Sequence, residues 1–267
     1  MWQAEIQVDL RAIRDNVARL KAGTSAEVMA VVKGDGYGHG MVPSARAALA
    51  GGATWLGGCT IPEALQLRTA GIDVPVLSWL WAPGAALTEA VDADVDLSVA
   101  SRAQLDELVE RVPGRAARVH LKLDSGLARS GATPAEWPAL VEAAAKAQAD
   151  GDIDVVGVWS HFAYADAPDN ETTDRQLRVF DDGLDVVAQA GLTPAVRHIA
   201  NSAATLTRPD AHYDIVRPGI AIYGLSPIPE RAAEFGLTPA MTARASVMIV
   251  KRVPAGQGVS YGHTYTT

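Results

Sequence analysis

The chain has 267 residues, of which 48% are hydrophobic and 20% charged, and its formal net charge is −8. This length and apolar content suffice for one large folded domain or two small ones. The negative charge argues against nucleic acid or an anionic membrane surface as the main partner.

A single cysteine, Cys59, excludes an intrachain disulfide, which makes a reducing cytoplasm the expected location. Residues 1–6 lack a basic stretch followed by an apolar one, so they do not predict a secretory signal. No window of 18 uncharged apolar residues predicts a membrane span. We also predict no metal site.

Short apolar runs rich in Val and Ile alternate with helical patterns, which is typical of parallel strands covered on both faces. We predict strands over residues 27–33, 54–59, 74–79, 95–99, 117–123, 154–159, 195–199 and 213–216. Predicted helices span residues 10–21, 43–50, 62–69, 104–111, 135–149 and 172–190. Asp9 and Ser101 are the expected N-caps of two of them.

Eight strands with intervening helices predict an α/β fold, a (β/α)8 TIM-type barrel over residues 11–235. The alternative is an open doubly wound sheet, which is disfavoured because no G-x-G-x-x-G follows the first strand.

The pattern changes after Gly236. Residues 242–253 alternate and are β-branched, residues 254–258 predict a turn, and residues 259–267 predict a second strand. We therefore expect residues 236–267 to be the opening hairpin of a C-terminal β domain that is truncated in this chain. Residues 1–10 are expected to form an N-terminal strand that packs with that domain.

Lys33 follows a nearly continuous apolar run and opens the glycine-rich segment 34–40. A lysine amine that has lost its proton is a nucleophile, and glycines let backbone N–H groups approach an anion such as phosphate. An amine beside a phosphate cradle suits the covalent attachment of pyridoxal phosphate. From this segment alone, a surface lysine after a core strand is an equally good interpretation.

In a barrel, functional residues collect at the carboxyl ends of the strands. Polar side chains follow the predicted first, fifth, sixth, seventh and eighth strands: Lys33, Tyr37, Lys122, Asp124, Ser125, Arg129, Ser160, His161, His198, Asn201, Ser202 and Arg217. Taken singly, His161 could be a core histidine, Arg217 a structural ion pair, Lys122 a partner of Asp124, and Ser202 a helix cap. Their joint position favours a ligand site, with an anion bound near residues 201–202 and 217–220.

Six motifs, in order along the chain, resemble those of the alanine racemase family, which are fold-type III pyridoxal phosphate enzymes. They occupy residues 30–40, 120–126, 160–163, 198–204, 217–224 and 259–265. The resemblance implies interconversion of L-alanine and D-alanine, a supply of D-alanine for cell-wall peptidoglycan, and a homodimer.

The resemblance also implies roles for individual residues. Lys33 would hold pyridoxal phosphate and act as one base on the substrate α-carbon. Tyr261 would be the base on the opposite face, working across the dimer interface. Arg217 would contact the pyridine nitrogen with support from His161, and Arg129 would lie near the phenolic oxygen and the substrate carboxylate.

The phosphate would be held by four residues: Tyr37, Ser202, Gly219 and Ile220. Lys122 matches a family position that can be carbamylated, which would orient Arg129. Gly34 and Gly36 stand where alanine is more usual in the family, which predicts a looser loop.

Three other functions remain open at this point. One is a different fold-type III reaction, such as that of a broader-specificity racemase or a decarboxylase. Another is a non-catalytic barrel that binds pyridoxal phosphate, and the third is a barrel enzyme that acts on a phosphorylated substrate without this cofactor. The motif around Tyr261, together with Arg217, favours the racemase.

Overall fold

Eight parallel strands surround the core of residues 9–240 in the computed structural model, which describes residues 3–267. Strand β1 (Ala4–Val8) belongs to a separate, smaller unit. The eight strands of the larger unit are β2 (Glu27–Val31), β3 (Trp55–Thr60), β4 (Val76–Leu80), β5 (Val95–Val99), β6 (Ala117–Lys122), β7 (Ile153–Trp159), β8 (Val196–His198) and β9 (Ile215–Val216).

The strands pair side by side in the order β8-β7-β6-β5-β4-β3-β2-β9. The ring closes between β9 and β8, where the N–H of Asp214 donates to the carbonyl of Arg197 (3.1 Å) and that of Arg217 to Ala200 (2.9 Å). The predicted α/β barrel is therefore confirmed. Its closed geometry brings the carboxyl ends of all eight strands to one rim.

Helices lie between the strands, as a parallel sheet requires. They span Leu10–Ala22, Met41–Ala50, Ile61–Thr69, Leu87–Asp92, Arg102–Arg111, Trp137–Asp150, Thr172–Gln189, Ser202–Thr207 and Ala232–Phe235. None of the helices in the described part of the chain is both long enough and apolar enough to cross a membrane. The predicted caps are confirmed, because the Asp9 carboxylate accepts from Arg11 N–H (2.9 Å) and the Ser101 hydroxyl from Gln104 N–H (3.2 Å).

Two local differences from the sequence prediction have clear physical causes. The helix Leu87–Asp92 was not predicted, since it is short and no side chain caps its first residue. The last strand starts at Ile215 rather than at Tyr213, because Tyr213 has a φ of 44°, which a strand does not accommodate.

The smaller unit combines the N-terminal strand with the last residues of the chain. Strand β1 pairs antiparallel with β10 (Met241–Ala245), and β11 (Gly258–Val259) pairs with β12 (Tyr265–Thr266). The hairpin predicted between residues 242–253 and 259–267 thus differs from the one observed. The chain reverses through the 3-10 turn Tyr261–His263, which lies inside the predicted second strand. Strand β11 therefore ends at the start of that predicted strand, and β12 lies near its end.

Candidate active site

A cavity of about 480 Å³ opens at the carboxyl ends of the barrel strands. Its lining includes every barrel residue to which the sequence assigned a role: Lys33, Tyr37, Lys122, Arg129, His161, Ser202, Arg217, Gly219 and Ile220. It also includes residues that the sequence reasoning did not select for the site: Cys59, Trp79, Trp159 and Asp166. The large aromatic side chains in this second set would narrow the space available to a ligand.

A left-handed turn follows Lys33 at the end of β2. Gly34, Asp35, Gly36 and Tyr37 have φ values of 61°, 49°, 63° and 54°. L-residues rarely adopt this conformation, whereas glycine does so without strain. Gly34 and Gly36 therefore provide the positive φ values that the turn requires, rather than a looser loop.

The turn is fastened to the neighbouring strand by the carboxylate of Glu63. Its Oε1 accepts from the N–H of Gly34 (2.7 Å), and its Oε2 from the N–H of Cys59 (2.6 Å). Because Gly34 directly follows Lys33, this carboxylate helps to fix where the lysine leaves the strand. The sequence signal was available, since Thr60 and Glu63 form the capping box of the next helix.

The Lys33 amine lies in an aromatic setting. Its Nζ is 5.9 Å from the ring centroids of both Tyr37 and Trp79. Lys33 takes part in none of the salt bridges found within residues 3–267. A half-buried amine without a carboxylate partner is available to react with a ligand.

Arg217 is buried directly after β9 and is held by carbonyl and imidazole groups. Its Nη1 lies 2.9 Å from His198 Nδ1, and its Nη2 donates to the carbonyl of Ser160 (2.8 Å) and lies 3.2 Å from His161 Nδ1. Burial lowers the pKa of Arg217 to about 9, so the guanidinium stays mainly protonated at neutral pH. The alternative that Arg217 belongs to a structural ion pair is wrong, because no carboxylate in the described part of the chain pairs with this guanidinium.

His161 is a neutral neighbour of this guanidinium. Burial, followed by the positive charge of Arg217, lowers the pKa of His161 well below its usual value. A neutral imidazole facing an arginine must accept through Nδ1 and carry its proton on Nε2.

An anion cradle forms between the segments that follow β8 and β9. The Ser202 hydroxyl accepts from the N–H groups of Gly219 (2.8 Å) and Ala221 (3.3 Å). A Cβ at Gly219 would come within 2.5 Å of the Tyr37 hydroxyl, so a larger residue there would displace the Tyr37 side chain. The helix cap is Asn201, whose side-chain oxygen accepts from Ala204 N–H (3.1 Å), rather than Ser202.

The hydroxyls of Tyr37 and Ser202, together with the backbone N–H groups of the glycine turn that donate to Ser202 here, form a set of donors that suits a phosphate. The same cavity contains the amine of Lys33, which is the group that an aldehyde requires. The residues present therefore fit pyridoxal phosphate at both of its ends.

Lys122 lies at the end of β6 and is almost fully buried. Its amine donates to the Ser130 hydroxyl (2.5 Å) and lies 4.3 Å from the ring centroid of Trp159. Burial, followed by the charges of Arg217 and Arg129, lowers the pKa of Lys122 to about 8. The alternative interpretation, a pairing of Lys122 with Asp124, is not seen, because that carboxylate accepts from backbone N–H groups of its own loop.

Tyr261 is not part of the barrel unit. It lies in the 3-10 turn of the smaller unit, and its side chain is 99% exposed. Ser260, the residue before it, has a φ of 57° and a ψ of −162°, which is an unusual conformation for a serine. The role of Tyr261 as the second base stays a prediction.

A closed parallel barrel with an unpaired lysine amine, a buried arginine and an anion cradle on its carboxyl rim defines a barrel enzyme. Residues 8–227 match the family model described as alanine racemase, N-terminal domain. The chain is 69% identical to an alanine racemase of Salinispora tropica, covering all of this chain and 72% of that protein. It is 48% identical to an alanine racemase of Mycobacterium bovis, covering 98% and 69% of the two chains.

Solved structures give the same result. The chain superposes on an alanine racemase from a D-cycloserine-producing Streptomyces lavendulae with a TM-score of 0.96 at 51% identity, covering 100% of this chain and 71% of that one. The alanine racemase from Bacillus anthracis, solved with bound L-Ala-P, gives a TM-score of 0.88 at 36% identity, covering 100% and 70%. The chain belongs to the alanine racemase family of isomerases.

Proposed function

We propose that this barrel binds pyridoxal phosphate through Lys33 and interconverts L-alanine and D-alanine by a two-base transfer of the α-proton. One observation supports the proposal most strongly. The amine of Lys33, the guanidinium of Arg217 and the cradle at Ser202 and Gly219 all line a single cavity. Each of the three suits a different part of the cofactor.

Pyridoxal phosphate, when bound, supplies an aldehyde that joins to amines and a ring that withdraws electrons from the substrate α-carbon. Lys33 would hold that aldehyde and then take or return the α-proton on one face. Tyr37, Ser202, Gly219 and Ile220 would hold the phosphate by their hydroxyl and backbone N–H groups.

Arg217 would face the ring nitrogen with an N–H group that it keeps. A guanidinium donates hydrogen bonds without readily giving up a proton, so the ring nitrogen would remain unprotonated. The cofactor would then be a weaker electron sink, which favours rapid return of the proton over side reactions. His161 accepts from Arg217 and thereby helps to hold the guanidinium in place.

In a two-base racemisation, one group removes the α-proton from one face of the α-carbon and a second group delivers a proton to the opposite face. Lys33 can act on only one of these faces. Tyr261 is the candidate for the other face, in a homodimer in which each copy lends this residue to its partner. Its full exposure supports this part of the proposal, because an exposed tyrosine is free to enter another surface. Arg129 would orient the substrate carboxylate, and Lys122, if carbamylated, would in turn orient Arg129.

Alanine is the substrate that the family favours, and D-alanine would then supply cell-wall peptidoglycan. The Bacillus anthracis relative was solved with bound L-Ala-P, which supports an alanine-sized ligand in this pocket as well. Trp79 and Trp159 line the cavity and would limit the side chain that fits.

Chiral analysis of alanine and serine incubated with the 267-residue protein and pyridoxal phosphate tests the proposal. We expect interconversion of alanine, loss of activity in Lys33→Ala, and slower turnover of serine. Lys146→Met, which alters an exposed lysine away from the cavity, is the matched control. Cofactor binding without any racemisation would instead support the non-catalytic barrel, and turnover by Lys33→Ala at the normal rate would refute the role of Lys33.

A further inference from the structure

A chain of buried hydrogen bonds runs from Arg217 into the interior of the barrel. Arg217 Nη1 lies 2.9 Å from His198 Nδ1, and His198 Nε2 lies 2.9 Å from His120 Nδ1. His120 Nε2 lies 3.2 Å from Asp96 Oδ2. Arg118 donates to both oxygens of Asp96, at 2.6 and 3.2 Å.

The two ends of this chain determine where its protons lie. An arginine can only donate, so His198 Nδ1 must accept and the proton of His198 lies on Nε2. That N–H donates to His120 Nδ1, which places the proton of His120 on Nε2, facing Asp96. An ionised carboxylate can only accept, so the arrangement is consistent along its whole length.

The interior of the barrel is shaped for this pair of histidines. Both are fully buried, and His198 stacks on Trp159 with ring centroids 5.7 Å apart. A Cβ at Gly157 on the neighbouring strand would come within 2.2 Å of the His120 ring, so glycine leaves the space that this ring fills. Fully hydrogen-bonded polar groups in such a core fix a single arrangement.

The charges at the two ends of this series of hydrogen bonds are complementary. Asp96 is the only carboxylate among the buried residues of the described part, and Arg217 is a buried cation without a carboxylate partner of its own. Although burial opposes ionisation, hydrogen bonds from His120 and Arg118 hold the pKa of Asp96 below its usual value. Burial, followed by the charge of Arg217, lowers the pKa of His198, which keeps the connecting imidazole neutral.

We propose that Asp96 is a positioning residue for Arg217 and that it acts through the two histidines. By accepting from His120, the carboxylate holds the imidazole pair so that the lone pair of His198 Nδ1 stays aimed at the guanidinium. The barrel interior would then determine how firmly Arg217 is presented to the cavity. The consequence for the enzyme rests on the proposed contact between Arg217 and the cofactor ring.

Nitrogen-15 and proton NMR of the histidine-labelled protein tests this series of hydrogen bonds in the absence of any cofactor. We expect both buried imidazoles to carry their proton on Nε2 and to show slowly exchanging, hydrogen-bonded N–H signals. Asp96→Asn has one acceptor oxygen where the carboxylate has two, so it cannot serve Arg118 and His120 equally well. The signals of both histidines should therefore move. A change at His120 that leaves His198 unaltered would overturn the proposal, and so would an Nδ1–H tautomer of His198 in the unmutated protein.

A double-mutant cycle tests the link to the site. We expect Asp96→Asn to weaken pyridoxal phosphate binding or to slow racemisation by about 10–100-fold, by analogy with carboxylates that hydrogen-bond to metal-bound histidines. In an Arg217→Lys background the same change should cost less than about 2-fold, because the two residues act together. Equal losses in both backgrounds would overturn the proposal.

Two further variants make the cycle interpretable. Ser78→Ala alters another buried polar side chain, one without a hydrogen-bond partner, and should change neither NMR signals nor binding. If Asp96→Asn does not fold, His120→Asn interrupts the chain one residue nearer to Arg217 and must show the same non-additivity. Should the protein bind no pyridoxal phosphate at all, the proposed function fails while the NMR result still decides the role of Asp96.

Discussion

The barrel rim and the smaller unit hold their candidate bases in opposite ways. Lys33 leaves the strand through a turn that Glu63 fastens, whereas Tyr261 lies on a short hairpin with its side chain 99% exposed. Residues of the barrel itself therefore fix the position of Lys33. The position of Tyr261 in a catalytic arrangement must come from a further surface, which we propose to be a second copy.

The largest expected effect is that of Lys33→Ala, which removes both the attachment point and one base. Loss of a positioned base alone slows turnover by about 100–10,000-fold. We expect at least that loss in steady-state racemisation, measured by chiral chromatography. Lys33→Arg keeps a positive charge without a reactive amine, and it should be equally impaired. Activity in either variant would break the assignment of the barrel's base.

Tyr261→Phe tests the other side of the comparison. Because the equilibrium constant of racemisation is one, loss of either base must slow both directions equally. We expect a fall of about 100–10,000-fold in racemisation, with solvent deuterium still entering the α-position of one enantiomer through Lys33. Deuterium exchange lost for both enantiomers would contradict a two-base arrangement.

The difference between the two regions also explains how far the sequence could be interpreted. The barrel was predictable because apolar strands of five to seven residues recur between helical segments, as in β5 (Val95–Val99) and β7 (Ile153–Trp159). The left-handed turn after Lys33 was not, because its two non-glycine members give no sign of a positive φ. In the smaller unit, strand β1 (Ala4–Val8) pairs with β10 (Met241–Ala245) in a register that local sequence patterns do not indicate.

The residues that hydrogen-bond to Arg217 directly or through other residues could be predicted only in part from the sequence. His198 stood at a predicted strand end, but Asp96 was overlooked within the apolar run 95–99. A carboxylate inside a strand covered on both faces is rarely tolerated without a partner, and that was the available signal.

Gly219→Ala tests the cradle that the barrel builds without outside help. The new methyl group would meet the Tyr37 hydroxyl at 2.5 Å and displace this hydroxyl from the cradle. We expect the dissociation constant for pyridoxal phosphate to rise by about 10–100-fold, equivalent to an overpacking penalty of about 1–3 kcal/mol. Pyridoxal without its phosphate, titrated in parallel, should be affected much less. An equal loss for both compounds would place the phosphate elsewhere.

Lys122→Met measures what burial of a charged amine costs the barrel. The pKa of Lys122 is lowered to about 8 from a usual value of 10.5, so the unfolded chain holds this proton more tightly. Stability should therefore rise with pH between these two values, by about 1–3 kcal/mol. The variant lacks this rise and should gain most over the parent protein below pH 8.

Urea unfolding at pH 7 and pH 10 measures this difference. Lys146→Met is the matched control, because Lys146 is exposed, and it should shift the free energy of unfolding by less than about 0.5 kcal/mol. A pH-independent effect of Lys122→Met would contradict the lowered pKa.

The smallest expected effects come from the turn itself. Gly34→Ala adds a side chain at positive φ in open space and should cost about 1 kcal/mol of stability. Gly36→Ala meets the Ser44 hydroxyl at 3.0 Å as well, so its cost should be larger. Denaturant unfolding of the two variants measures both costs, and an equal or reversed order would show that the turn rearranges.

The most direct test of the account is to reduce the protein with borohydride in the presence of pyridoxal phosphate and to map the labelled peptide by mass spectrometry. Two lysines line the cavity, Lys33 and Lys122, so the experiment has a built-in alternative. We predict a single adduct on Lys33, which disappears in Lys33→Ala and persists in Lys122→Met. An adduct on Lys122, or none at either lysine, would contradict the proposed attachment.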